Sequence, residues 1–502
     1  MGALATATDP QTTTKIISRN PATGAVLGEV AEATPVEIKR AVDAARRAQK
    51  DWGDLPVRER SRRMERFRDL IVARAEELCA LIADETGKTR GEALAMEVMV
   101  VCDLATYFLK RAHKILGPES IPLHLLKTRG SYLHYAPRGV VGIISPWNFP
   151  FSIANGEVFM ALLAGNAVVL KPSEVTPLIA NKTKEIFDQA GLPPELFQVV
   201  HGRGGAGAAL IDAGIDYCVF TGSTATGRKV AAACGERLIP CTLELGGKSP
   251  AVVLADADVE RTARALVWGG FANQGQVCVS VERVYAHAAV HDELVDRIVA
   301  LTQSLRPGSP ALEDGVDFGS MTWDRQTEIV EERIKSAVAQ GAKVRTGGKR
   351  SGQGLQFLPT VISDCKHDMD VMKKEIFGPI LPIAKVADDE EAVRLANDSH
   401  MGLAAYVFSR DTARARRIAE RIEAGTVMVN DCLLTFGAPE TPWGGVKQSG
   451  IGRTHADAGL RELCQLRHVN YDRLSLGKEL WWYPYSGDVY RQTLKLLKWI
   501  FR

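Results

Sequence analysis

A thiol, a carboxylate and an amide stand out for the company they keep. Cys278 sits in FANQGQVCVS, residues 271–280, among small and amide-bearing neighbours, where a structural thiol would usually be walled in by Leu, Ile or Phe. A cysteine attacks carbon only as the thiolate, and at a free pKa of about 8.5 little of it is ionised near neutrality. Such chemistry needs a base. Glu244, in LELGGKSP (residues 243–250), stands between two Leu residues and ahead of two Gly, a setting that desolvates a carboxylate and raises its pKa toward a general base's working range. Asn148, in SPWNFP (residues 145–150), offers an amide N–H to an oxyanion.

A second group of residues is suited to anions and sugars. In FTGSTATG, residues 220–227, a strand ends in Gly222 and Ser223 just before a helix-like segment, so backbone N–H groups and a hydroxyl would meet a phosphate at a helix N-terminus. The same residues would also serve as a plain Ser/Thr helix cap. In KPSEVTP, residues 171–177, Lys171 and Glu174 leave a strand end beside Pro172; the ammonium suits a phosphate or ribose oxygen, and the carboxylate suits the two hydroxyls of a ribose. GRGGAG, residues 202–207, matches G-x-G-x-x-G, but the next strand, YCVF, ends in Thr221 and Gly222 without the acidic residue that the dinucleotide fingerprint requires.

These residues must be held by elements of a definite kind. Thr34, Pro35 and Glu37 form a capping-box start, and residues 35–115 read as helical. GVVGIIS, AVVLKP, FQVVHG and YCVFTG then alternate with helix-length segments, and AVVLAD, RVYAHA, PTVIS, PIAKV, AAYVFS and TVMVN repeat the rhythm from 250 to 430. Alternation at that spacing predicts right-handed βαβ crossovers and parallel sheets. The fold class expected is α/β: two doubly wound parallel-sheet domains, with ligands at the carboxyl ends of the strands.

Composition narrows the function classes. The 502 residues carry 62 Lys and Arg against 60 Asp and Glu, a net charge of +2, which gives no electrostatic case for nucleic acid. Nine scattered cysteines without a C-x-x-C pair or a His cluster suggest a reducing, cytoplasmic setting and no metal. No apolar run is long enough to span a bilayer. MGALAT fits the pattern for myristoylation at Gly2, a short match whose alternative is a frayed polar tail.

The chain resembles the aldehyde dehydrogenase superfamily. PWNFP, KPSEVTP, FTGSTATG, LELGGKSP, NQGQVC, EIFGPILP and PWGGVKQSGIGR carry the resemblance, in the family's order and spacing, across roughly residues 15–470. It implies that Cys278 attacks the aldehyde carbonyl while Asn148 and the Cys278 N–H hold the oxyanion, and that Glu244 activates water against the thioester. It also implies NAD as cofactor, with NADP the alternative: Lys171 and Glu174 on the adenosine ribose, Gly222, Ser223 and Trp147 near the diphosphate, Glu375 and Phe377 on the nicotinamide ribose. The domains implied are 15–126 with 145–245 for the cofactor, 246–445 for catalysis, 127–144 with 463–480 for oligomerisation, and a tail at 481–502. A homodimer or homotetramer follows, with SYLHYAPRG adding an edge strand to a neighbour. Thr454 and Ala456 depart from the family's usual signature, at positions expected to affect packing and not chemistry.

Phe149, Ser152, Ile153, Gly156, Val277 and Val279 outline an uncharged substrate pocket, so an apolar aliphatic or aromatic aldehyde is expected. The alternatives are an aminoaldehyde greeted by Asp431, Glu440 and Trp443, CoA-dependent acylation, and a non-catalytic protein on the same fold. Beyond the signature, residues 489–502 alternate as a basic amphipathic helix, with Asp488 placed to cap it and Trp481, Trp482 and Trp499 nearby. Its apolar face either docks on protein, the commoner fate, or lies peripherally in a membrane interface.

Overall fold

The computed structural model describes residues 14–502 apart from 310–314, 353, 476 and 480. Gly2 and its myristoylation pattern lie outside the described residues. Thr34 opens the helix Pro35–Asp54 as a capping box: its side chain accepts from the Glu37 N–H at 3.3 Å, and the Glu37 carboxylate accepts from the Thr34 N–H at 2.8 Å. Helices Val57–Ala73, Ala75–Thr86 and Met99–Ile115 follow, with a π-helical turn at Leu94–Val98.

Five strands then alternate with four helices: β1 (Val140–Ile144), α1 (Ser152–Leu163), β2 (Ala167–Lys171), α2 (Leu178–Gln189), β3 (Phe197–Val199), α3 (Gly204–Asp212), β4 (Tyr217–Thr221), α4 (Thr224–Glu236) and β5 (Cys241–Glu244). β1 and β2 are buried at every position, as strands covered on both faces must be, which is why they read as unbroken apolar runs. The sheet order is β3-β2-β1-β4-β5, all parallel, and the short strand Gly450–Ile451 adds antiparallel to β5 with Gly450 opposite Glu244.

The second sheet is built from β6 (Ser249–Val253), α5 (Val259–Phe271), β7 (Val281–His287), α6 (Asp324–Ala339), β8 (Lys343–Thr346), β9 (Thr360–Ser363), β10 (Ile380–Val386), β11 (Ala404–Phe408) and β12 (Thr426–Val429), in the order β8-β9-β10-β7-β6-β11-β12. Only the β8/β9 pair is antiparallel. Alternate residues feed opposite faces: Val253, Val284 and Leu381 join one apolar cluster, and Val252, Tyr285 and Ile380 the other.

All ten strands anticipated for the two sheets are present, while β5 and β8 were not foreseen. Residues up to Leu116 and Pro137–Gln465 form one compact unit holding both sheets, and Gly117–Ala136 with Leu466–Arg502 form the second. The expected boundary at residue 144 needs correction, since Val140–Ile144 is hydrogen-bonded between β2 and β4 in the first sheet.

Glu119–Ser120, Arg129–Pro137 and Cys464–Asp472 form a three-stranded sheet with Arg129–Pro137 in the middle, and Glu119–Ser120 pairs with it antiparallel. The nine-residue edge is therefore Cys464–Asp472 and not the SYLHYAPRG strand. Arg129 donates to Glu479 at 2.7 Å, and a β-carbon at Gly130 would fall inside the Tyr471 ring. The last helix, Gly487–Ile500, is capped by Ser486, whose hydroxyl accepts from the Val489 N–H at 3.3 Å. Asp488 instead pairs with Arg491. No residue of this helix is buried.

Candidate active site

The first sheet reverses direction beside β1. The chain steps outward through β2 and β3, then α3 returns it to β4 on the other side of β1. Ligands of open α/β sheets bind at such a switch point, outside the carboxyl ends of the strands. Trp147 and Asn148 follow β1, and Gly222 and Ser223 follow β4. The Ser223 hydroxyl caps α4 by accepting from the Thr226 N–H at 3.3 Å. These four residues line one cleft of about 1120 Å3 together with Glu244, Cys278, Glu375 and Phe377. The edge of the Trp147 ring packs on Phe377, centroids 5.4 Å apart. Lys171, at the end of β2, holds its Nζ 3.4 Å from a Glu174 carboxylate oxygen. Burial lowers the Lys171 ammonium pKa and Glu174 opposes that shift; neither residue lines the cleft itself. The GRGGAG segment follows the edge strand β3, away from the switch point.

Cys278 is held by a turn that demands its amide residues. Asn273 and Gln274 adopt left-handed backbone, φ 47° and 56°, a conformation Asn tolerates better than most residues. The Asn273 side-chain amide donates to the Asn148 carbonyl at 3.0 Å and to the Gln276 carbonyl at 3.2 Å. The Asn148 Nδ2 donates to the same Gln276 carbonyl at 2.9 Å. Lys88 reaches the Asn148 carbonyl at 2.8 Å and the Glu97 carboxylate at 2.5 Å. Glu97 in turn accepts from the Phe151 and Ser152 N–H groups at 2.8 and 3.0 Å, at the start of α1. This fully buried ion pair, with Glu97 carried on the π-helical turn, fixes the PWNFP segment. Sequence reasoning missed Lys88, Glu97 and Asn273; the one available signal was the lone acid Glu97 among apolar neighbours in ALAMEVMVV.

The two glycines after Glu244 are explained by close approach. A β-carbon on Gly246 would stand 2.6 Å from a Glu375 oxygen, and one on Gly247 would stand 2.3 Å from the Cys278 carbonyl oxygen. The Gly247 N–H donates to Glu375 at 3.2 Å. Glu375 is preceded in space by Glu282, which accepts from Lys248 at 3.0 Å and from the Ile376 and Phe377 N–H groups, fixing the EIFGP segment.

Loss of solvent pushes the Cys278 thiol up to about 12; the Glu244 and Glu375 carboxylates add to this, and the N–H groups of Cys278 and Val279 oppose it. The Glu244 carboxyl is raised well above the usual carboxylate range, by burial first and by Glu157 second, against Arg453 and the Trp443 indole. Both its oxygens are buried without a well-formed hydrogen bond. Glu157, on α1, is pushed up to about 8 by burial; sequence reasoning gave it no role. Glu157, Glu244 and Cys278 share a small chamber of about 420 Å3.

Ser152 and Gly156, expected at the substrate, line that chamber beside Glu244. Thr454 and His455 line it too. Thr454 exchanges backbone hydrogen bonds with Trp443, 2.8 and 2.9 Å, so this departure from the signature lies in the wall of the chamber.

A third cavity, about 750 Å3, opens on the sulfur and is lined by Phe149, Ile153, Val277 and Val279. Met96, Trp268, Leu433, Phe436 and Trp443 complete it; they come from separate segments and were not anticipated, apart from an aromatic at 443. Among the described residues its lining holds no acid and no base apart from the Cys278 thiol, and neither Asp431 nor Glu440 reaches it.

Comparison with known proteins follows this geometry. A family model described as "Aldehyde dehydrogenase family" matches residues 7–469. The 4,4'-diapolycopene aldehyde oxidase of Methylomonas sp is 39% identical over 490 residues, 97% of this chain and 92% of that protein. The crystal structure of Mycobacterium tuberculosis aldehyde dehydrogenase complexed with NAD+ superposes with a TM-score of 0.87 at 35% identity, covering 92% of this chain and 95% of that one. That of an E. coli NADP dependent enzyme gives 0.88 at 32%, covering 91% and 95%.

Proposed function

The chain belongs to the aldehyde dehydrogenase family, and from that premise we propose how its own residues divide the oxidation of an aldehyde to its carboxylic acid. The observation that carries the reading is that Cys278 lines all three cavities. The aldehyde enters by the apolar cavity, the nicotinamide dinucleotide by the switch-point cleft, and water by the chamber of Glu244. The cleft residues fit such a cofactor: a capped helix N-terminus for phosphate, an aromatic pair beside Glu375, and the Lys171–Glu174 pair at the neighbouring strand end. When bound, NAD supplies the two-electron acceptor that takes hydride from the substrate carbon.

The Cys278 thiol gives its proton to solvent and its sulfur bonds to the carbonyl carbon, whose oxygen becomes an oxyanion held by the Asn148 amide and the Cys278 N–H. Loss of hydride re-forms the carbonyl as a thioester. Glu244 then takes a proton from water, the hydroxide oxygen bonds to the acyl carbon, and the C–S bond breaks with the thiolate as leaving group. Trp147, Gly222 and Ser223 hold the diphosphate side, Lys171 and Glu174 the adenosine ribose, Glu375 and Phe377 the nicotinamide ribose. The first sheet with its preceding helices is the cofactor-binding part, and the second sheet the catalytic part. Glu174 supports NAD over NADP, because a carboxylate beside the 2'-hydroxyl repels a 2'-phosphate.

The substrate is an apolar aldehyde, aliphatic or aromatic. The absence of a carboxylate from the described lining of the third cavity weighs against an aminoaldehyde, and the buried Glu244 supports transfer to water over transfer to CoA. The test is NADH formation across a panel of short, long-chain, aromatic and cationic aldehydes, with Cys278→Ala as control. Apolar aldehydes turned over by the parent and by none of the variant support the reading; NADH formation by Cys278→Ala overturns it.

For partners, the exposed edge Cys464–Asp472 supports a homodimer or homotetramer, since an unpaired edge of nine residues invites a strand from a second copy. Among the described residues no helix is long and apolar enough to cross a membrane. The last helix instead supports peripheral contact with an anionic lipid surface. At 100° per residue along Gly487–Ile500, Arg491, Lys495 and Lys498 fall in one narrow arc, and Val489, Thr493, Leu497 and Ile500 lie on the other side. Trp481, Trp482 and Trp499 are exposed beside it, suited to the headgroup level.

A further inference from the structure

The cleft contains a cation that none of the roles above employs. Helix α6 turns Gln326, Ile329 and Arg333 toward it, three and four residues apart and so on one face. Gln326 secures that face to the other wall by donating to the Ile376 carbonyl at 2.7 Å. Arg333 keeps only 16% of its side chain exposed, and its Nε is buried without a hydrogen-bond partner. Its ion contact is a long one, 3.8 Å to Glu332, a carboxylate that is itself 75% exposed. A buried guanidinium N–H left unmatched is costly, whereas the same group against an anion forms strong, geometrically matched bonds.

The rest of the wall explains why a cation belongs here. Among the described lining residues, the other ionisable side chains are Glu244, Glu375 and Cys278, all of them acids. A dianionic ligand entering such a cleft finds no countercharge among them. One rigid, permanently charged fork supplies it without titrating.

We infer that Arg333 and the Ser223-capped start of α4 together form a diphosphate subsite, one grip from each wall of the cleft. This rests on the reading of the cleft as a nicotinamide dinucleotide site and names the residue that neutralises the ligand's charged middle. The adenosine 2'-position lies elsewhere, because Lys171 and Glu174 are at the end of β2 and outside this lining. A cationic nicotinamide ring is equally excluded as the partner of a guanidinium.

The test uses the full chain and calorimetric Kd values for NAD, ADP-ribose and adenosine, in the parent, Arg333→Gln and Arg333→Lys, with melting temperature as the folding control. Arg333→Gln is expected to weaken NAD and ADP-ribose by about 10- to 100-fold and leave adenosine within twofold. Arg333→Lys should recover part of the loss, and the salt dependence of ADP-ribose binding should become shallower in Arg333→Gln. An ADP-ribose Kd unchanged within twofold, or an equal loss for adenosine, overturns the subsite. A parent chain that binds neither NAD nor ADP-ribose overturns the underlying cofactor reading instead, so the two failures are distinct.

Discussion

Gly247 lies so close to Cys278 that a β-carbon on it would stand 2.3 Å from the cysteine's carbonyl oxygen. The backbone of the LELGG segment is thus the floor on which the nucleophile rests. Gly247→Ala should lower turnover at least 10-fold by displacing the sulfur, with about 1–3 kcal/mol of lost stability from overpacking. Initial rates and a urea melt measure both. Unchanged rates in a folded variant would show that the floor can yield.

Glu244→Gln should keep a first-turnover burst of NADH and lose steady-state release of acid, because the base serves the second half of the reaction. Stopped-flow absorbance distinguishes the halves. Absence of the burst would place Glu244 in activation of the thiol.

The pH dependence should follow from the two neighbouring acids. Glu244 has a raised pKa, so it is protonated and idle as a base at low pH, and hydrolysis rises as pH climbs through that pKa. The negative charge of Glu157 contributes to the raise. Glu157→Gln removes that repulsion, and the rising limb of the deacylation profile should move to lower pH. A limb that stays in place or moves upward contradicts a role through charge.

Lys88 and Asn148 should fail in different ways. Lys88→Met leaves the buried Glu97 carboxylate unpaired, a loss of about 3–5 kcal/mol, with lower turnover as the Asn148 carbonyl loses its anchor. Asn148→Ala should cost on the order of 10² to 10³ in turnover if it provides one oxyanion donor, with a smaller stability loss. Melts and rates on both variants separate the effects.

Ending the chain after Ser486 should abolish sedimentation with vesicles rich in phosphatidylglycerol while activity on short soluble aldehydes persists. The parent should bind these vesicles more weakly as salt rises and should not bind neutral phosphatidylcholine vesicles comparably. No vesicle binding by the parent, with a smaller oligomer after truncation, would assign the helix to a second copy of the chain.

Cys278, Glu244 and Asn148, to which we assign the nucleophile, base and oxyanion amide, could be singled out because chemistry restricts which residue types can fill those roles and local motifs carry them. Lys88, Glu97 and Glu157 were not, because a charged residue looks alike in sequence whether water or protein surrounds it; only tertiary packing buries these three. Met96, Trp268, Leu433 and Phe436 converge from distant segments, so no local pattern could join them. The strands at 241–244 and 343–346 escaped for another reason: CTLE and KVRT mix polar and charged residues where the strands that were read carry an apolar run. Asp488 lost the capping role to Ser486 by two positions, within the ordinary uncertainty of helix ends.

The apolar cavity and the switch-point cleft have little wall in common. Among the described residues, only Ile153 and Cys278 border both the apolar cavity and the cofactor cleft. Mutation can therefore remodel Met96, Trp268 or Leu433 without altering the cleft residues to which we assign the dinucleotide. In evolutionary terms the chain carries two separately adjustable specificities, and drift toward a longer or bulkier aldehyde leaves the redox half of the enzyme untouched.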